Sequence, residues 1–340
     1  MKTYYLKVFG CQMNESDAER IGGFLEKNGY RKAPAIKGAD LIVVVACSVR
    51  QTAVDRIFGM KQKLLQLKKT NPRIKTVLTG CVIDSDVSKF KEFFDEIKDI
   101  YDFLGNNYFS ISPKYQKERD VAYLPIMTGC NNFCSYCVVP FTRGRETSRP
   151  PQEVVKEFKQ ILKDGFKKII LLGQNVNSYQ YGFANLLKTL NNLPGNFKIR
   201  FLTNHPKDFS DELIDAIARC EKVEKEIHLP VQSGDDEILK KMNRHYTVKE
   251  YKNLVSKIRK KIPNVRITTD VIVGFPSENK KQFQNTVKLF KEIKFSAAYI
   301  NKYSPRPQTA SFKLRDDVPL CEKKRRWKIL NDLVNEKTSK

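Results

Sequence analysis

No uninterrupted apolar run in this 340-residue chain approaches the roughly 20 residues that a helix needs to cross a bilayer. The first twenty residues, MKTYYLKVFGCQMNESDAER, lack the apolar core and cleavage site of a secretory leader. Low-complexity tracts and short-period repeats are absent too, which sets aside solenoids. Acidic residues are scarce beside basic ones: 38 Asp+Glu against 62 Lys+Arg, a formal net charge of +24 at pH 7. These absences predict a soluble cytoplasmic protein with no membrane association. They also favour a polyanionic partner, because each phosphate contact releases counterions.

What is present alternates. Thr3–Phe9, Leu41–Val45 and Ile74–Leu78 read as strands, and LIVVV (41–45) is apolar throughout, as in a parallel strand buried on both faces. Helices are predicted over Ser16–Asn28 with Ser16 as N-cap, over 49–69 and over Ser88–Lys98, with a short strand at Tyr101–Leu104. This is the rhythm of a doubly wound parallel-sheet domain, taken as residues 1–110. ISPKYQKERD (111–120) is polar and without period, and reads as a linker. A second series spans 121–315. Its strands are predicted at Val121–Met127, Lys168–Leu172, Lys198–Leu202, Glu226–Leu229, Arg266–Val273 and Ala297–Tyr303, with a helix over Gln152–Asp164. Six βα units suffice for a partial or full parallel barrel, so the fold class is α/β. Residues 316–340 are expected to end in a basic helix that carries the only tryptophan, Trp327. Its KKRR (323–326) reads as a solvated face.

Eight cysteines in a cytoplasmic chain point to metal or redox chemistry rather than disulfides. Cys130, Cys134 and Cys137 form CxxxCxxC in one loop after the first barrel strand, with Gly129 permitting a tight turn. Soft thiolates suit iron–sulfur clusters or zinc, but zinc usually shows paired CxxC knuckles and no second pair exists. His205, His228 and His245 are conceivable fourth ligands, each with a plainer reading as a hydrogen-bonded histidine. Cys11, Cys47 and Cys81 each close a predicted strand (KVFGC, VVVAC, TVLTGC). Residues just past the carboxyl ends of parallel strands lie along one sheet edge, so these three are predicted to share a second site. Cys220 and Cys321 have no such placement and read as structural or incidental.

CxxxCxxC at the top of the first barrel strand, with Tyr136 before the last cysteine, resembles the radical S-adenosylmethionine (SAM) superfamily. Taken with FGCQMNESDAER (9–20), VVACSVR (44–50), LTGC (78–81), CVVPFTRGRE (137–146), LLGQNVNSY (171–179), HLPVQSG (228–234), TTDVIVGFP (268–276) and YSPRPQTAS (303–311), the whole chain resembles the methylthiotransferase family of radical SAM enzymes. CVVPFTRGRE and LLGQNVNSY look closest to the branch that modifies adenosine in tRNA. The resemblance implies a radical SAM partial (β/α)6 barrel and addition of a methylthio group to C2 of N6-isopentenyladenosine at tRNA position 37. It implies a SAM-binding [4Fe–4S] cluster on Cys130, Cys134 and Cys137 and an auxiliary [4Fe–4S] cluster on Cys11, Cys47 and Cys81. One SAM would give the methyl and a second the radical, so the clusters and SAM act rather than a side-chain acid or base.

The implied partners are a tRNA anticodon stem-loop and an electron donor such as flavodoxin or ferredoxin, with the enzyme a monomer. Tyr136, Gly173 and Gln174 are candidates to contact SAM, and Arg143, Arg145 and Arg149 to clamp phosphates or the SAM carboxylate. Asp270 and Gly274, at another strand end, are either pocket or packing. Members of the family continue into a small β-barrel RNA-binding (TRAM) domain, which is expected to be absent here. Asn204 in TNHP (203–206) stands where a small hydroxyl residue is expected. Alternatives are methylthiotransferases acting on threonylcarbamoyl-adenosine or on a ribosomal-protein aspartate, and, in another class, a non-catalytic zinc-stabilised RNA-binding protein.

Overall fold

The computed structural model describes residues 1–48, 51–105, 108–116 and 119–334. The chain divides into two compact units, 1–125 with 138–144, and 126–137 with 145–340.

In the first unit the strands are β1 (Thr3–Phe9), β2 (Arg31–Lys32), β3 (Leu41–Cys47), β4 (Lys75–Cys81), β5 (Glu96–Ile97) and β6 (Val121–Pro125). The helices are α1 (Gln12–Lys27), α2 (Gln51–Phe58), α3 (Lys61–Thr70), α4 (Asp84–Phe90), α5 (Ile100–Phe103) and α6 (Val139–Thr142). A wholly parallel sheet runs β2-β1-β3-β4-β5. Strand β3 is buried from end to end because both its faces are covered. Ile42, Val44 and Ala46 pack against Val54, Ile57, Leu64 and Leu67 of α2 and α3. Val43 and Val45 pack against Ala18, Ile21 and Leu25 of α1. The strand order reverses between β1 and β3, the switch point where such sheets bind ligands.

Several expectations shift at this level. Helix α1 starts at Gln12 with Cys11 as N-cap, and Asn14 closes the capping box; Ser16 is buried inside the helix. The predicted 49–69 helix is broken at Gly59–Met60, and residues 49–50 lie outside the described ones. Helix α4 stops at Phe90 because Phe90, Phe93 and Phe94 all turn into the core, and Asp95 then hydrogen-bonds Thr76 through both backbone and side chain. That lays Glu96–Ile97, not Tyr101–Leu104, alongside β4. Residues 100–103 are helical, with the Asp99 carboxylate accepting from the Tyr101 N–H as a cap.

The second unit contains β7 (Met127–Thr128), β8 (Thr147–Ser148), β9 (Lys168–Leu172), β10 (Lys198–Phe201), β11 (Glu226–His228), β12 (Arg266–Val273) and β13 (Ala297–Lys302). Between and after them lie α7 (Pro151–Lys163), α8 (Phe183–Asn191), α9 (Asp211–Arg219), α10 (Asp236–Lys241), α11 (Val248–Lys261), α12 (Lys280–Ile293) and α13 (Leu320–Val334). The N–H of Ile126 donates to the Leu172 carbonyl, β9 pairs in parallel with β10, and β10 bridges to Val223 just before β11. Strands β11, β12 and β13 continue in parallel. The result is an open arc of α/β units, a partial (β/α)6 barrel whose strand carboxyl ends share one rim. Helix α13 lies against β13, β12 and α12. The KKRR run is therefore not a solvated face throughout: Lys323 pairs with Asp316, and Arg326 with the buried Glu278 at 2.6 Å. Residues 335–340 of the expected tail helix lie outside the described ones.

Candidate metal centres

In the first unit the parallel register sets Cys47 directly beside Cys81 at the carboxyl ends of β3 and β4. Cys11 follows β1, the neighbour of β3 on the other side. Asn14 ties the group together. Its Oδ1 accepts from the Cys11 N–H (3.2 Å) and from the Cys11 thiol (3.5 Å), while Nδ2 donates to the Ala46 carbonyl (3.1 Å) and lies 4.0 Å from Cys81 Sγ. Gly80 makes this approach feasible. It sits at φ +100°, and a Cβ there would meet the Ala46 carbonyl oxygen at 2.6 Å and Asn14 Nδ2 at 3.2 Å.

Arg143 completes this site. Its Nε donates to Cys81 Sγ at 3.0 Å, and its other nitrogens grip the buried Asp17 carboxylate. Asp17 also accepts from the Tyr108 hydroxyl at 2.8 Å. Arg143, expected to clamp a phosphate or carboxylate of a ligand, is thus engaged inside the first unit.

In the second unit the cysteine loop turns through left-handed residues at Gly129 (φ 76°) and Phe133 (φ 47°). The loop is held by distant partners. Asn243 Nδ2 donates to the carbonyls of Asn132 and Phe133, Ser135 hydrogen-bonds Met242 and Lys241, and Ser311 N–H donates to the Ser135 carbonyl. Arg244 Nη1 points at Cys134 Sγ (3.5 Å) and Asn132 Nδ2 at Cys130 Sγ (3.6 Å). Tyr136 packs beside Met242, Phe275 and Tyr303. Arg149 is buried and paired with Glu157 and Glu153, securing α7. Arg145 is exposed, its guanidinium 4.3 Å from the Phe133 ring centroid. Of the three arginines it is the one that faces solvent.

Along the rim, Gly173 allows β9 to end against Met127, since a Cβ would meet Met127 Cγ at 2.4 Å. Among the described residues, five buried polar atoms near the strand ends have no hydrogen-bond partner: Gln174 Oε1, Asn175 Oδ1, Asn204 Oδ1, His205 Nε2 and Gln232 Oε1. Buried groups of this kind normally have partners, so five of them on one rim make that rim a candidate ligand surface. Two amide orientations are fixed by their other ends, Asn175 Nδ2 donating to Asp208 and Asn204 Nδ2 to the His228 carbonyl. His205 Nδ1 accepts from the Lys207 N–H, which leaves the proton on Nε2. Burial, with Arg244, Lys207 and His245 nearby, pushes this imidazole down to about 2, so it stays neutral. The rim thus offers acceptors for amino and hydroxyl groups and one neutral N–H donor. Thr203 (φ 63°) and Gln232 (φ 65°) occupy left-handed backbone on the same rim, strain of the sort that functional sites retain. Of these residues the sequence points to Gln174 as a SAM contact, marks Asn204 as unusual and reads His205 as a hydrogen-bonded histidine or a metal ligand. His228 is held between Thr268 and Asp270, and His245 is exposed.

Among the described residues, no three His, Cys, Asp or Glu side chains converge tightly enough to share one metal ion. A polynuclear cluster distributes its ligands over several metals and does not demand that convergence. The chemistry of the donor sets fits such a group: three soft sulfurs per site, with N–H donors directed at Cys81, Cys130 and Cys134, the bonds that stabilise thiolate ligands. The orphaned rim atoms likewise fit SAM, whose amino group and ribose hydroxyls are donors.

The Radical SAM superfamily model matches residues 124–290, and that of an uncharacterized protein family, UPF0004, matches residues 3–101. A tRNA-2-methylthio-N(6)-dimethylallyladenosine synthase of Clostridium botulinum is 40% identical, over 99% of this chain and 82% of its own length. One of Dehalococcoides mccartyi is 42% identical, over 100% of this chain and 84% of its own length. Among solved structures, the radical S-adenosylmethionine methyltransferase TsrM from Kitasatospora setae, with cobalamin and a [4Fe–4S] cluster bound, matches at a TM-score of 0.68 and 13% identity, covering 92% of this chain and 77% of that one. At that identity the likeness speaks for the fold.

Proposed function

The chain belongs to the tRNA-2-methylthio-N(6)-dimethylallyladenosine synthase family, and from that premise we propose that it is a radical SAM methylthiotransferase acting on C2 of N6-isopentenyladenosine at position 37 of tRNA. Cys130, Cys134 and Cys137 would hold the [4Fe–4S] cluster that binds SAM, and Cys11, Cys47 and Cys81 an auxiliary [4Fe–4S] cluster. An aromatic C2–H presents no acidic proton, and bound clusters with SAM supply the one-electron chemistry that replaces acid–base catalysis there. The observation that carries the reading is the pair of three-cysteine sets, each with an arginine N–H directed at one of its sulfurs.

The chain's own residues perform the rest. Asn14, Asn243 and the two arginines orient the cysteines. The orphaned atoms of Gln174, Asn175, Asn204, His205 and Gln232 bind and orient SAM and the substrate base. Arg145, exposed beside Phe133, is the residue of the arginine trio left to meet the anticodon stem-loop, where a cation over an aromatic ring suits phosphate and base alike. The net charge of +24 suits the same polyanion. The electron would come from a small one-electron carrier such as flavodoxin or ferredoxin.

Mass spectrometry of tRNA nucleosides from a strain lacking the protein tests the substrate. The expected result is loss of 2-methylthio-isopentenyladenosine with accumulation of isopentenyladenosine. An unchanged level of the methylthio nucleoside would overturn the assignment, and loss of the threonylcarbamoyl derivative instead would redirect it.

A further inference from the structure

The segment Val138–Gly144 follows directly on the cysteine loop of the second unit, yet it packs as part of the first. What it delivers there is one buried cation. Arg143 is 4% exposed and lies outside the stretch matched by the UPF0004 family model, 3–101. It makes contacts of two kinds. Nε donates to Cys81 Sγ at 3.0 Å, and Nη1 and Nη2 hold Asp17, whose side chain is wholly buried and further fixed by Tyr108. A buried ion pair of this kind is a poor investment in stability alone, since desolvating both charges offsets most of their attraction. Its placement on a ligand sulfur gives it another use. Hydrogen bonds to sulfur and the surrounding charge are two of the levers that set the potential of an iron–sulfur group.

We propose that Arg143 is a positioning residue of the Cys11/Cys47/Cys81 site, donating to Cys81 Sγ and, balanced by Asp17, setting the reduction potential of the iron–sulfur group held there. The inference rests on the reading that these three cysteines bind a cluster. Reduction adds negative charge to a group already bound through three thiolates. A guanidinium at the sulfur favours the reduced state, and the carboxylate behind it moderates that cation. Removing the cation and removing the carboxylate therefore have opposite effects. A merely structural Arg143–Asp17 pair predicts the same disturbance from either change.

The full-length protein carrying C130A/C134A/C137A isolates the auxiliary site. After anaerobic reconstitution, its iron content and its midpoint potential, from redox titration followed by electron paramagnetic resonance, are measured with and without Arg143→Gln, Arg143→Lys and Asp17→Asn. The expected shifts are negative for Arg143→Gln, smaller and negative for Arg143→Lys, which keeps charge but not the planar fork, and positive for Asp17→Asn. Iron-loaded variants with unmoved potentials overturn the proposal, as do shifts of the same sign for Arg143→Gln and Asp17→Asn. If Arg143→Gln retains no iron, Asp17→Asn decides: a positive shift supports the proposal and any other result ends it. Iron content unaffected by C11A/C47A/C81A in an otherwise unaltered chain would instead refute the underlying cluster assignment.

Discussion

The two cysteine sets have the same number of thiols and are gathered in opposite ways. In the first unit the cysteines come from three places in the sequence, and a rigid parallel sheet brings them into line; register alone pairs Cys47 with Cys81. In the second they come from one loop with left-handed turns, and distant residues must hold that loop in shape. Each site also has an arginine directed at one sulfur, Arg143 at Cys81 and Arg244 at Cys134, and neither arginine lies near its cysteine in sequence. A sheet edge supplies ligand geometry as a by-product of folding. A loop needs explicit fasteners, and its site is therefore the easier one to loosen without unfolding the unit.

The largest test of this comparison removes one ligand set at a time. Two [4Fe–4S] clusters correspond to about eight irons per chain. C11A/C47A/C81A and C130A/C134A/C137A are each expected to retain about four, with little zinc, after anaerobic purification. Stoichiometric zinc in place of iron would remove both sites from the radical reading at once. A smaller and more selective pair of changes separates sheet edge from loop. Gly80→Ala places a Cβ at 2.6 Å from the Ala46 carbonyl on backbone at φ +100°, a strain of about 1–3 kcal/mol before any clash is counted. It should empty the auxiliary site and spare the other. Asn243→Gly keeps the left-handed backbone (φ 55°) while deleting both loop hydrogen bonds, at a cost of about 1–2 kcal/mol. It should lower iron retention in the second unit only. Equal losses at both sites from either variant would show that the two are not built independently.

Most of the strand positions were legible because buried parallel strands are apolar runs, and the five barrel strands β9 to β13 lie within a residue of the expected ranges, while the expected Val121–Met127 strand is split into β6 and β7. The proximity of Cys11, Cys47 and Cys81 was legible for a related reason: a doubly wound sheet puts every strand's carboxyl end on one edge, so three strand-closing cysteines must be neighbours. What the sequence hid was the destination of long polar side chains. Arg143, Arg145 and Arg149 look alike in TRGRETSR, yet one braces a cysteine, one faces solvent and one holds a helix. KKRR hid two internal ion pairs because the carboxylates that receive them, Asp316 and Glu278, come from separate loops. Asn175 and Gln232 read as ordinary polar loop residues, and nothing in sequence makes Asn204 or His205 part of a rim; the atoms without partners show that only once neighbours are known. The 88–104 region misled because its aromatic residues carry no clear period, and the Asp95 and Asp99 hydrogen bonds decide where helix gives way to strand and back.

The last and smallest contrast is one of pH. All three histidines of the chain lie in the second unit, and burial and neighbouring cations push His205 down to about 2. Unfolded, it would titrate near 6.5. Between those values the unfolded state binds the extra proton, so stability rises with pH across the window and is lost as pH falls below about 6.5, at roughly 1.4 kcal/mol per pH unit. His205→Asn keeps a side-chain acceptor for the Lys207 N–H and removes the titration. Hydrogen exchange, which reads the two units separately, should show protection around residues 203–208 falling between pH 7 and pH 5 by about 2 kcal/mol more in the wild type than in the variant. The first unit should show no difference between the two proteins, since it has no histidine to remove. A parallel decline in both proteins would mean that His205 is already satisfied or protonated in the fold, and the rim would lose the neutral donor assigned to it.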